Sequence, residues 1–242
     1  MFIFNSSIGK KFIQAVSGAF LVLFLLLHAT INFFSVIDSV FLHTYGSVAN
    51  DEVLFSAGDG LFKLGCDFMS TPFISIMVPV LALGFIIHIL YGCWLTVRNI
   101  IARGGIKRYE VKQKGAADSW SSKNMLVLGL LILGILAFHL TGFWMKMQMP
   151  ELLHIGTFEN NPYILLGLVF GKWWSLLIYL AWFVVLWLHL THGVWSMFQT
   201  VGWNGSTWFK RIKVIGNILS TIIVVMFIAV AIYAFIQVNF VA

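Results

Sequence analysis

Residues 173–201 read WWSLLIYLAWFVVLWLHLTHGVWSMFQTV, a run without a single Asp, Glu, Lys or Arg. A helix needs roughly 20 consecutive apolar residues to cross a bilayer core, and this run exceeds that length. Its two imidazoles, His189 and His192, would then lie in hydrocarbon, where an ionisable group is costly and marks a functional position. Four more stretches meet the same criterion: about Phe12 to Phe34, Pro72 to Val97, Asn124 to Met145 and Ile212 to Ile236. The expected fold is all-α: a polytopic membrane protein, a five-transmembrane-helix bundle forming one domain over residues 1–242.

Composition agrees with this reading. Hydrophobic residues make up 60% of the 242 and charged residues only 10%, against about 25% charged in soluble domains. The mean hydropathy is +0.93. A net charge of +6 raises nucleic acid as a partner, but the basic residues fall between apolar runs rather than along one stripe, so membrane lipid is expected instead. The first apolar run follows Lys10 and Lys11, yet it is long and ends in HATINFFSV with no small-residue cleavage site, so it reads as an uncleaved helix. Cys66 and Cys93 form no CxxC motif and no disulfide framework.

Orientation follows from the connections. Twelve of the 15 Lys and Arg lie at the N-terminus or in alternate connections, at 10–11, 98–123 and 210–213. The other connections, about 35–71 and 146–172, hold seven of the nine acidic residues. Positive residues accumulate on the cytoplasmic side. The N-terminus and basic loops are therefore expected inside a bacterial cytoplasmic membrane, with the C-terminus outside. The 35–71 segment is long enough to carry a short interfacial structure.

Seven histidines are present. His43 and His154 fall in outer connections and read as solvated. Five lie within the apolar runs: His28, His88, His139, His189 and His192. On a ruler of about 1.5 Å per residue, His28 stands roughly 25 Å from Lys11 and His139 roughly 24 Å from Lys123, near the outer face. His88 stands roughly 15 Å from Arg98, and His192 about 15 Å from a helix end near Gly202. His189, at about 20 Å, matches either level less well. Two pairs at two depths, each drawn from two helices, suit bis-histidine ligation of two stacked haems, with four helices enclosing them. Gly84, Gly142 and Gly193 stand within four residues of three of the ligands, and Gly18 lies ten before His28 on a similar face, to make room for the macrocycles. A proton-relay transporter would usually carry buried Asp or Glu, and none is expected inside these helices.

These residues bring the chain to a resemblance. QAVSGAFLVLFLLLHATINF in the first run, with Gln14, Gly18 and His28, and HGVWSMFQTVGW in the fourth, with His192, Gly193 and Ser196, resemble the membrane cytochrome b subunits of succinate:quinone and fumarate:quinol oxidoreductases, of the single-chain, five-helix, di-haem kind. The likeness covers nearly the whole chain. It implies two haem b, His28 with His139 on the outer iron and His88 with His192 on the inner iron, and Gln14, Ser17, Gly193 and Ser196 around the cofactors. It also implies a flavoprotein subunit and an iron–sulphur subunit as partners, with menaquinone or another quinone as substrate. Some members carry a glutamate two residues before the fourth-helix histidine; here Leu190 stands there, which removes that carboxylate from any proton path.

For an outer quinone site the available carboxylates are Glu52, Asp59 and Asp67. The tryptophans of the fourth run, among them Trp182, read as interface anchors and packing. The same histidine pattern also suits a free-standing b561-like transmembrane cytochrome, or a small histidine-dependent transporter.

Overall fold

The computed structural model describes residues 6–41, 47–49, 52–54, 60–69, 71–102, 104–105, 119–147, 162–203 and 205–241. In chain order they form α1 (Ser7–Phe41), β1 (Ser47–Ala49), β2 (Glu52–Leu54), α2 (Leu61–Met69), α3 (Pro72–Ala102), the single turn α4 (Trp120–Lys123), α5 (Met125–His139), α6 (Pro162–Phe170), α7 (Trp173–Thr200) and α8 (Ser206–Ile236). Two π-helical turns follow helices, Leu140–Trp144 after α5 and Gln237–Val241 after α8. β1 and β2 make a short antiparallel ribbon with Val48 opposite Val53.

Among the described residues, five helical segments are long and apolar enough to cross a membrane: Ser7–Val40, Ile76–Ala102, Met125–Met147, Trp173–Thr200 and Ser206–Val241. These correspond to the five expected runs, and α2 and the ribbon lie in the connection between the first two. The helices carry their own start and stop signals. Ser6 accepts the Gly9 N–H at 2.9 Å, capping α1. Gly104 and Gly202 take φ of 75° and 97°, a left-handed conformation that suits glycine, and close α3 and α7. In each case the glycine N–H bonds three residues back and the following N–H five residues back, to Ile101 and Ile100 after α3 and to Gln199 and Phe198 after α7.

Two boundaries differ from the sequence expectation. α3 continues past Val97 and Arg98 to Ala102, because the glycine pair, not the first charge, ends it. α1 continues past Phe34 to Phe41, and so contains Asp38, which is fully buried. The expectation that no carboxylate lies inside these helices is therefore corrected. Asp38 can sit there because its oxygens are satisfied: it accepts the N–H groups of Leu61 at 3.0 Å and Phe62 at 2.7 Å, and the Tyr163 hydroxyl at 3.1 Å. A carboxylate from α1 thus caps the N-terminus of α2, where the helix dipole favours negative charge. Gly60 permits this approach, since a Cβ there would stand 2.5 Å from Asp38 Oδ2. Burial, and then the Asp38 charge, push the Tyr163 hydroxyl above its ordinary pKa.

The chain divides into two compact units. One comprises Met1–Leu25, Ile76–Leu130 and Leu186–Thr221; the other comprises Leu26–Ser75, Leu131–Val185 and Ile222–Ala242. In the first, α7 and α8 approach closely at Gly216, where a Cβ would lie 3.3 Å from Val194 Cγ1, and Trp187 donates to Thr221 Oγ1 at 3.0 Å. Small residues of this kind let membrane helices pack backbone to backbone. In the second, the core is aromatic: Tyr179, Phe183 and Phe170 are buried, and Phe183 stacks on Phe227 at 5.7 Å.

Candidate functional site

Among the described residues, each unit holds a close pair of imidazoles from two helices. In the second unit, His28 of α1 and His139, the last residue of α5, have ring centroids 5.9 Å apart with planes at 90°. The π-helical turn begins at the next residue, Leu140, and such turns commonly sit at functional positions. It sets Phe143 against His139, with centroids 5.1 Å apart. Trp182 at 5.8 Å and Tyr179 at 6.1 Å complete an aromatic surround on α7. The Tyr179 oxygen lies 3.4 Å from His139 Nδ1. Asn32, one turn beyond His28, lies 3.5 Å from that ring's Nδ1.

In the first unit, His88 of α3 faces His189 of α7, with centroids 6.3 Å apart and planes at 70°. His192 does not take that place: its ring packs edge-on against Trp195 at 4.9 Å, and Trp195 in turn lies under the Lys213 ammonium. The sequence expectation pairs His88 with His192; the ring contact that the structure gives His88 on α7 is with His189. On a helix, three residues turn the side chain by about 60° and move it about 4.5 Å along the axis, so His189 and His192 are neighbours on one side of α7, and the ring set against His88 is that of His189. The depth ruler favoured His192 only because it ended the second run near Arg98. With α3 running to Ala102, His88 lies about 6 Å farther from its helix end, and His189, the more distant of the two α7 histidines from Thr200, is the better match.

Gln14 and Ser17, expected at a cofactor edge, lie against His88. The Gln14 amide nitrogen is 3.3 Å from His88 Nδ1, and the Ser17 hydroxyl is 3.3 Å from the same nitrogen. Gln14 Oε1 is buried and has no hydrogen-bond partner, as are His189 Nδ1 and His192 Nδ1. Ser196 donates to its own helix at Gly193 O, 3.3 Å away. Of the four glycines expected to make room, only Gly193 has no atom within 4 Å of a built Cβ. Gly18 meets His88, Gly84 meets Phe20, and Gly142 meets Val169.

Of the three carboxylates expected at a quinone site, Asp67 is the one whose side chain is described. Asp67 pairs with Lys63 at 2.7 Å on the exposed side of α2. Glu52 has its backbone in β2, opposite Ala49, and Asp59 lies outside the described residues. Asp38, which the sequence reading placed in a loop, and Trp182, which it read as packing, are among the buried residues with polar atoms in the second unit. Trp182 is 8% exposed, and its indole Nε1 has no partner.

Among the described residues no three or more His, Cys, Asp or Glu converge on one point. The chain instead offers pairs of imidazoles. Two rings that share a metal ion through their nitrogens have centroids about 6 Å apart, given metal–nitrogen bonds of about 2 Å, and both pairs stand at that separation. The unpartnered nitrogens and amide oxygen around them fit a polar-edged cofactor. No family model, curated protein or solved structure matches the chain.

Proposed function

We propose that this chain is the di-haem cytochrome b membrane anchor of a succinate:quinone or quinol:fumarate oxidoreductase. The observation that carries the proposal is the presence of two imidazole pairs, each from two different spanning helices and each about 6 Å between ring centres. His28 and His139 would hold one haem, and His88 and His189 the other. A bound haem b would supply reversible one-electron transfer at its iron.

The chain's own residues hold and tune the imidazoles. With the proton on Nδ1, as binding through Nε2 requires, the Ser17 hydroxyl would accept from His88 and the Tyr179 oxygen from His139. Such contacts fix which ring nitrogen carries the proton and how basic the other is. The aromatic surround of His139 keeps water away, which lowers the local dielectric and shifts any redox couple placed there. An N-terminus inside, basic loops toward the cytoplasm and partner subunits docking there follow from the charge distribution and from the resemblance.

A histidine-dependent transporter gains no support from Asp38, because that carboxylate is occupied as the α2 cap. A free-standing cytochrome and a complex anchor differ in company. Purification through a tag on this chain is expected to bring two soluble subunits carrying covalent or tight flavin and iron–sulphur clusters, together with b-type haem bands. Haem bands without those subunits would move the assignment to a free-standing cytochrome.

A further inference from the structure

Ser175, Tyr179 and Trp182 follow one another on α7 at steps of four and three, so they share one face of the helix. They are 2%, 1% and 8% exposed, respectively. The Ser175 hydroxyl and the Trp182 indole nitrogen are buried without any hydrogen-bond partner. A buried polar group left unpaired costs about 1–3 kcal/mol, and two on one helical face are rare unless something else completes them.

Tyr179 joins the same row. Its oxygen is 3.4 Å from His139 Nδ1. An imidazole that binds a metal through Nε2 carries its proton on Nδ1 and donates it, so Tyr179 oxygen then accepts and its own O–H is left to donate elsewhere. That leaves three O–H and N–H groups free to donate along about 10 Å of helix. The walls beside them are flat and apolar: Phe138 at 5.7 Å and Phe170 at 4.9 Å from the Tyr179 ring. Donors between aromatic walls select a flat ring bearing acceptor oxygens.

We propose that Ser175, Tyr179 and Trp182 form a donor row for the oxygens of a ring bound beside His139: the carbonyls of a membrane quinone or the carboxylate of a haem propionate. The inference rests on the function proposed above, in that it takes His139 as a ligand. It moves the oxygen-binding site from the loop carboxylates Glu52, Asp59 and Asp67 to neutral donors on α7. Indole, phenol and hydroxyl hold an acceptor oxygen without adding charge to the membrane interior.

The test uses the purified wild-type complex and its Trp182→Phe and Ser175→Ala variants, with two readouts. One is the apparent KM for 2,3-dimethyl-1,4-naphthoquinone, supplied as the quinol; the other is the midpoint potential of each haem in a spectroscopic titration. A KM raised about tenfold with both potentials unchanged places a quinone on the row, since that is the effect of losing one buried hydrogen bond. A downward shift of one haem's potential alone, with KM unchanged, places a propionate there, because a carboxylate that loses a donor bears more of its charge toward the iron. If both variants keep wild-type haem content, KM and potentials, the row is not a ligand site. Wild-type protein without haem or quinol turnover would instead overturn the function proposed above, so the two failures are distinguishable.

Discussion

His139 and His28 stand 5.9 Å apart between ring centres, although they lie 111 positions apart in sequence and belong to different spanning helices. The π-helical turn starts immediately after His139, and the aromatic rings of Phe143, Tyr179 and Trp182 pack against that imidazole. If the pair shares one iron, replacing either histidine removes the same spectral component. His28→Ala and His139→Ala are each expected to abolish one of two haem signals in low-temperature reduced-minus-oxidised spectra. Loss of different components from the two variants would show that the rings do not act together.

The second pair makes a sharper prediction, because two histidines of α7 compete for one role. His189 faces His88 at 6.3 Å, whereas His192 packs on Trp195. His189→Ala should eliminate the haem component that His88→Ala also eliminates. His192→Ala should retain both haems. The reverse result, with His192 required and His189 dispensable, would restore the assignment made from sequence depth.

Asp38 predicts a stability effect separate from any cofactor. Asp38→Ala leaves the Leu61 and Phe62 N–H groups and the Tyr163 hydroxyl without their acceptor. Unpaired groups of this kind cost about 1–3 kcal/mol. Hydrogen exchange across residues 61–69 should rise strongly in this variant. Tyr163→Phe, which removes one of the three donors, should raise it less. Equal exchange in wild type and Asp38→Ala would show that the cap contributes nothing.

Cys66 gives a pH-dependent prediction. Burial first, and the Asp67 charge second, push its thiol up to about 12, with Lys63 acting in the opposite direction. The neutral thiol is thus favoured in the folded protein. Between its ordinary value near 9 and about 12, the unfolded chain loses this proton while the folded chain keeps it, so this group's contribution falls as pH rises through that window. At pH 8 the thiolate fraction is about one in ten thousand. Alkylation of Cys66 by iodoacetamide at pH 8 should therefore be far slower than that of an unfolded control, and should accelerate on raising the pH toward 11. Labelling at the control rate at pH 8 would contradict this.

The parts of the molecule legible in the sequence are those governed by length and hydropathy. Each spanning helix is a long apolar run, and backbone groups in lipid leave a helix little alternative. Helix ends were less legible. Arg98 looked like the end of the second run, yet a charged residue near the interface can extend its side chain outward while the helix continues, and the glycine pair at 104–105 sets the boundary. That six-ångström difference separates the depth ruler, which favours His192, from ring proximity, which favours His189. Asp38 was hidden for a different reason. Its partners are 23, 24 and 125 residues away, so nothing local distinguishes it from a loop carboxylate. The donor row on α7 lay in plain view as residues 175, 179 and 182, but the absence of partners for two of them is a tertiary fact that spacing cannot reveal.

The central claim is that two imidazole pairs hold two haems in one chain. Pyridine haemochromogen analysis of the purified protein, scaled to the chain's concentration by quantitative amino-acid analysis, tests it most directly. Two haem b per chain are expected. A value of zero would leave both pairs as interhelical packing contacts and remove the basis of the proposed function.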